Sequence, residues 1–205
     1  MRSTLVALSM LAGAGAAHAA GFTLSSPTIK PGSMLTEAQV FKGFGCEGKN
    51  TSPALKWSGA PSGTKSYAVT VYDPDAPTGS GWWHWVVYNI PASTTELPEG
   101  AGGPDGKGLP AGATQGRTDF GSAGFGGACP PKGDKPHRYV FTLHALKTDK
   151  IDVPPDASAA LIGFMVHGVG VCEIAGENRL APHRLTPFAC VHGQSITYPE
   201  EQTAA

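Results

Sequence analysis

The chain has 205 residues, a formal net charge of −1 and only 15% charged residues, so it offers no basic face for nucleic acid or an anionic membrane surface. Gly (28) and Pro (18) make up more than a fifth of it while 40% of residues are hydrophobic, which excludes a disordered chain. The balance points to one turn-rich, mostly β domain with long loops.

Met1-Arg2, an apolar stretch over residues 5–17 and Ala17-His18-Ala19 read as a signal peptide over residues 1–19, cleaved after Ala19. The apolar stretch is shorter than the ~20 residues that cross a bilayer, and no second one follows. A periplasmic or secreted product without a membrane span is therefore expected, with residues 20–205 forming a single domain. Short strands are predicted at residues 22–24 and 54–57, and clearer ones at 66–72, 84–90 and 138–146. Their Val, Tyr, Phe and Trp content suits a pleated, half-buried surface. Residues 91–136 form a long excursion rich in Gly, Pro and Asp, and such loops are usually functional. One helix is predicted over 157–166, capped by Asp156, with Leu161, Ile162 and Met165 on one side. From Gly168 onward no regular element is assigned.

Cys46, Cys129, Cys172 and Cys190 allow three pairings, and export favours their oxidation. Cys46–Cys129 would tie two Gly-rich loops together, and Cys172–Cys190 would close a short loop in the tail; this pairing is expected. No C-x-x-C or metal-knuckle spacing occurs, so the cysteines do not argue for zinc.

The residues that could do chemistry lie in Asp73-Pro74-Asp75-Ala76-Pro77 and Gly81-Trp82-Trp83-His84-Trp85. An imidazole buried in an aromatic strand costs about 1–3 kcal/mol unless it is paired. The nearby carboxylates are its candidate partners, because a carboxylate fixes the tautomer of an imidazole. Period-2 arithmetic puts Asp73 on the face of Tyr67, Val69 and Val71, and groups His84 with Val86 and Tyr88. It groups His137 with Tyr139, Phe141 and Leu143. The loop from Gly121 to Gly127 allows backbone N–H groups close to an oxyanion. Two histidines and Asp73 could in principle hold a metal, but no His-x-His or His-x-x-x-His spacing supports this, and neither metal nor cofactor is assigned. There is no Gly-x-Ser-x-Gly nucleophile motif, and no Gly-x-Gly-x-x-Gly in a strand–helix setting. Asn50-Thr51-Ser52 matches a glycosylation sequon. His144, His167, His183 and His192 read as structural or surface groups with no partner in view.

Four separated motifs resemble the phosphatidylethanolamine-binding proteins, in their bacterial Raf-kinase-inhibitor-like branch. They are Cys46-Glu47-Gly48-Lys49-Asn50-Thr51-Ser52-Pro53, the Asp73–Pro77 and Gly81–Trp85 segments, and Pro130-Pro131 leading to His137-Arg138-Tyr139. The resemblance covers residues 22–167. It implies an antiparallel β-sandwich with one or two short helices and a small anion pocket that takes phosphate or a phosphoethanolamine-like head group. Carried over, Asp73, Asp75, His84, His137 and Tyr139 line that pocket together with Gly126, Gly127 and Pro130. The histidines would donate to phosphoryl oxygens, the acids would orient them, and the glycines would supply close backbone. The first functional expectation is a binding protein for a small anionic or phosphorylated ligand. The second is an inhibitor or modulator of a protein partner, and the third a hydrolase using the same His/Asp cluster; no catalytic residue is assigned. Two departures stand out. Ala128 occupies a position where the family often has proline, which is expected to loosen one pocket wall. The family's C-terminal strand is not recognisable in the atypical tail, residues 168–205.

Overall fold

A computed structural model describes residues 21–179. Its first strands are β1 Thr23–Ser25, β2 Lys42–Gly43, β3 Cys46–Glu47, β4 Leu55–Ser58 and β5 Ser66–Asp73. They are followed by β6 Trp82–Pro91, β7 Glu96–Leu97, β8 Thr114–Gln115 and β9 Arg138–Leu146. One α-helix, α1 (Ala159–Val169), leads into β10 (Gly170–Arg179), and a single 3-10 turn covers Glu37–Gln39. The strands pair antiparallel into a five-stranded sheet, β10-β9-β5-β6-β8, a three-stranded sheet, β1-β4-β7, and the β2-β3 ribbon. This is the expected antiparallel, mostly β architecture.

The five-stranded sheet is the middle layer, and its central strands show why. β5 and β6 are apolar on both faces, so each face needs a cover. One face packs Val69, Val71, Trp85, Phe141 and Leu143 against Phe22, Leu55, Trp57 and Leu97 of the smaller sheet and its approach. The other packs Ala68, Val86, Tyr88 and Leu146 against Ala159, Ile162 and Val166 of α1. The helix thus buries Ile162 and Val166, while Leu161 is exposed. Its cap is Ser158, whose hydroxyl accepts the Leu161 N–H at 3.2 Å, in place of the expected Asp156.

Period-2 arithmetic holds along β5 and β9 and fails in β6. Val71 pairs with Trp85 and Tyr72 with Trp83, which leaves His84 as an extra residue opposite the step between them. This β-bulge returns His84 to the face of Trp85 and Val87, against Tyr139, whereas Val86 and Tyr88 pack toward α1. His84, Val86 and Tyr88 therefore do not share a face. A second irregularity opposite Ala68 is taken up by Asn89, at φ 58°. Asparagine tolerates that conformation, and here its side chain bonds both the N–H and the carbonyl of Ile151.

The region after Gly168 also departs from expectation. β10 runs antiparallel along the whole of β9, from Gly170 opposite Leu146 to Arg179 opposite Arg138. Gly170-Val-Cys-Glu-Ile-Ala-Gly-Glu-Asn-Arg179 mixes two glycines with four polar residues. An edge strand has one partner and needs no continuous apolar run, so its pattern is faint. The long excursion contributes β7 and β8, one to each sheet.

Cys46 and Cys129 form a disulfide across 83 residues of sequence. Cys172 is also disulfide-bonded; Cys190, its expected partner, lies outside the described residues. Replacing both Cys46 and Cys129 by serine should remove about 2–4 kcal/mol of stability, by releasing a long loop in the unfolded chain. Urea unfolding checks this, and an unchanged midpoint would mean that the loop is held by its backbone bonds alone.

Candidate functional site

Where β5 ends and β9 begins, three side chains expected to share a site meet at the floor of a cavity of about 190 Å³. Asp73 is 2% exposed and accepts the His137 Nδ1–H through Oδ2 at 2.7 Å. The same oxygen lies 4.0 Å from His84 Nε2. Its other oxygen, Oδ1, accepts the Asp75 N–H at 2.8 Å, so the Asp-Pro-Asp turn is an Asx turn built onto a buried anion. His84 Nδ1 lies 2.7 Å from the Gly126 carbonyl, which can only accept. Nδ1 therefore carries the proton of the neutral ring, and Nε2 is left as a lone pair beside Asp73. Tyr139 is buried against the His84 ring, edge to face at 5.0 Å. Its hydroxyl has no hydrogen-bond partner, although the Cys129 backbone is near. A buried hydroxyl left without a protein partner beside a cavity calls for an explanation.

The remaining residues expected here are placed differently. Asp75 turns away from the imidazoles to hold Arg138, accepting Nε at 2.9 Å, Nη2 at 2.7 Å and the backbone N–H at 2.8 Å. Gly126 and Gly127 stand behind His84, outside the cavity wall. Their amides are already used, by the His84 carbonyl at 2.8 Å and by Asn50 Oδ1 at 2.6 Å. A Cβ on Gly127 would meet the Gln39 carbonyl at 2.3 Å, so that glycine serves close packing and not anion binding. The wall takes Pro131 in place of Pro130. Asn50 spends its side-chain amide on Phe125 and Gly127, bracing the loop behind His84. Ala128 does not loosen the wall: its N–H donates to Gln39 and its carbonyl accepts from Phe41, both at 3.0 Å. A proline could not make the first of these bonds.

Sequence reasoning missed the aromatic rim. Phe44, Trp82 and Phe120 line the cavity, together with Ala76, Pro77 and Thr78. Phe120 stacks near Phe44 at 5.9 Å and meets Trp82 edge-on at 5.4 Å. Phe44 is 75% exposed and held at φ 54°. The signal that could have found it was the Cys46–Cys129 pairing, which draws the residues just before Cys46 onto the wall beside Pro131.

Residues 25–177 match the family described as phosphatidylethanolamine-binding protein. The chain belongs to the phosphatidylethanolamine-binding protein family. Two Escherichia coli relatives are the UPF0098 proteins YbcL and YbhB. The first is 61% identical over 83% of this chain and 88% of that protein, the second 54% identical over 70% and 90%. A crystal structure of YbcL, described as a new member of the mammalian PEBP family, matches with a TM-score of 0.77 at 60% identity, over 80% of this chain and 100% of that one. A homologue from Chlamydia trachomatis matches with a TM-score of 0.64 at 26% identity, over 80% and 99%. The family match extends through most of β10, so the strand thought missing is present and the family's pattern does not stop at residue 167.

The electrostatics of this family member's cavity follow from burial. Loss of hydration pulls His84 below its ordinary value of 6.5, against the opposing pull of the Gly126 carbonyl and Asp73. Burial, reinforced by the Asp73 charge, pushes the Tyr139 hydroxyl up, so it stays a donor. On the far face of the central sheet, burial likewise lowers His144. Below pH 6.5 the unfolded chain binds protons that the folded chain refuses at these rings. Stability should therefore fall as pH drops from 6.5 toward the lowered native values, read as a falling melting temperature between pH 7 and 5. A flat or rising curve would contradict the neutral rings. His137→Ala should cost about 3–5 kcal/mol, since it strands the buried Asp73 carboxylate. Adding Asp73→Asn should recover part of that loss in the same unfolding measurement.

Proposed function

We propose that the chain is a periplasmic or secreted binding protein for a small phosphorylated head group of the phosphoethanolamine type. The observation that carries the reading is the cavity floor, where the buried Asp73 carboxylate stands between two imidazoles and beside an orphaned tyrosine hydroxyl. A cavity of about 190 Å³ suits a head group and not a whole lipid. Phosphoryl oxygens would accept from Tyr139 and from imidazolium Nε2–H, while a P–OH would donate to a neutral Nε2. The indole of Trp82 at the rim suits an ammonium by cation–π attraction. The family's name agrees with this chemistry. The leader over residues 1–19 and the Cys46–Cys129 disulfide favour an oxidising compartment.

Binding is favoured over turnover because the lining Cys129 and Thr78 groups are engaged and burial keeps the Tyr139 hydroxyl protonated. Cys129 is in the disulfide, and the Thr78 hydroxyl donates to the Gly81 carbonyl at 2.6 Å. Burial holds His84 below its ordinary value, so an anion must bring or recruit a proton. Phosphoethanolamine at ten times its Kd should raise the melting temperature by about 3 °C. His84→Ala, checked for folding by near-UV circular dichroism, should abolish that rise. Affinity should strengthen by up to about tenfold between pH 7.5 and 6.5 as one proton is taken up. Retention of the full shift in His84→Ala would remove the cavity from the reading, and pH-independent binding would remove the proton coupling.

A further inference from the structure

On the face of the central sheet that packs against α1, a second cluster of ligating groups converges. His144 on β9, expected to have no partner, is buried with Nε2 at 3.1 Å from the Thr70 hydroxyl and Nδ1 at 3.2 Å from Glu173 Oε2. His167, in the last turn of α1, brings its Nδ1 to 3.5 Å from the same carboxylate oxygen. One ligating atom from each of the three residues lies within 4.8 Å of the others. The two rings stand edge to face, with centroids 5.6 Å apart.

We infer that His144, His167 and Glu173 form a binding site for a divalent transition metal of the zinc class. The convergence of two imidazole nitrogens and a carboxylate oxygen within 4.8 Å of one another carries this. A charge-assisted hydrogen bond to a carboxylate is about 2.7–2.9 Å long. Ligands about 2.0–2.1 Å from a tetrahedral zinc stand about 3.3 Å from one another. The observed 3.2 and 3.5 Å bracket the second value, and the shorter is also within reach of the hydrogen bond that holds the site without a metal. The ring chemistry is consistent with it. Without a metal, Glu173 can only accept, so His144 Nδ1–H donates to it and the Thr70 hydroxyl donates to Nε2; a metal takes the place of the Nδ1 proton, and Nε2–H then turns to Thr70. Two imidazoles and a carboxylate suit zinc, copper or nickel better than calcium or magnesium. The cation would also face the carbonyl end of α1, where the helix dipole favours positive charge. His144 and Thr70 form a fixed, buried base, while His167 and Glu173 are more than half exposed and give a path of entry. A water would complete the tetrahedron. The bound metal would clamp the last turn of α1 and the start of β10 to β9. The site lies seven residues along β9 from His137 and on the opposite face, about 23 Å away at strand rise. It is therefore separate from the cavity.

Titration of the full-length exported protein with zinc chloride by calorimetry tests this, with cobalt substitution as a spectroscopic reporter. One zinc per chain should bind with Kd below about 10 µM, and cobalt should give the intense visible bands of a tetrahedral site. His167→Ala and Glu173→Gln, both at exposed positions, should each weaken zinc at least tenfold. Thr70→Val should weaken it by about 10–100-fold through loss of the proton acceptor behind His144. His84→Ala should leave zinc affinity unchanged. Zinc binding that survives both His167→Ala and Glu173→Gln would overturn the assignment, as would loss of it in His84→Ala or the absence of binding.

Discussion

The buried carboxylate of Asp73 is the constraint around which the cavity is arranged. A charge held at 2% exposure in a mostly aromatic setting is tolerable only with its lone pairs occupied. One oxygen takes the backbone N–H of Asp75, and the other takes His137 and faces His84. Each partner belongs to a different piece of chain: the turn after β5, the start of β9, and the bulge in β6. Satisfying the anion therefore ties the turn after β5 to the start of β9, and His84, held by the Gly126 carbonyl, closes the third side. The Asp75–Arg138 bridge stands outside the cavity and repeats the β5–β9 tie at the surface. Being about one-third exposed, it is worth less than its geometry suggests.

The bulge at His84 matters as much as the acid. In a regular β6, the ring would project toward α1 with Val86 and Tyr88, and Asp73 would have only His137. The extra residue opposite the Val71–Tyr72 step reverses that single side chain while Val86 and Tyr88 keep their places under the helix. The Gly126 carbonyl then caps Nδ1 from behind and locks the tautomer. The loop carrying that carbonyl is held by Asn50 and by the Ala128 bonds. A glycosylation sequon and a lost proline thus turn out to be two supports of the same imidazole.

What was legible in the sequence was whatever a strong local pattern carries. Ser66–Asp73 and Arg138–Leu146 pair with no register shift between them, so their faces, and with them Asp73, His137 and Tyr139, could be assigned by parity. The Cys46–Cys129 pairing followed from compartment and loop position. The rest depends on tertiary context. A bulge adds one residue without a compositional mark, and Trp-Trp-His-Trp is apolar in either register. β10 is an edge strand whose single partner relaxes its pattern. The glycines behind His84 look like an anion-binding nest, and only the occupied amides of Gly126 and Gly127 reveal their packing role. The aromatic rim comes from residues far apart in sequence, gathered by the disulfide and by Phe120.

The central sheet thus carries a His–carboxylate cluster on each face, and burial of the acid separates what the two can do. At the cavity, the acid is buried and the imidazoles are turned by fixed acceptors, Asp73 for one and Gly126 for the other. The nitrogen left to His84 lies 4.0 Å from the Asp73 carboxylate and that left to His137 lies 3.6 Å from Asp134, so the proposed anion would enter only with a proton. On the helix side, the buried member is His144, and the acid, Glu173, is open to water. An exposed carboxylate keeps its charge at little cost, held below the ordinary range first by its bond to His144. Two imidazole nitrogens converge on it with no buried anion to neutralise. Such a set lacks positive charge, and a cation supplies it. On the two proposals, the same residue types would hold a protonated anion on one face and a metal ion on the other.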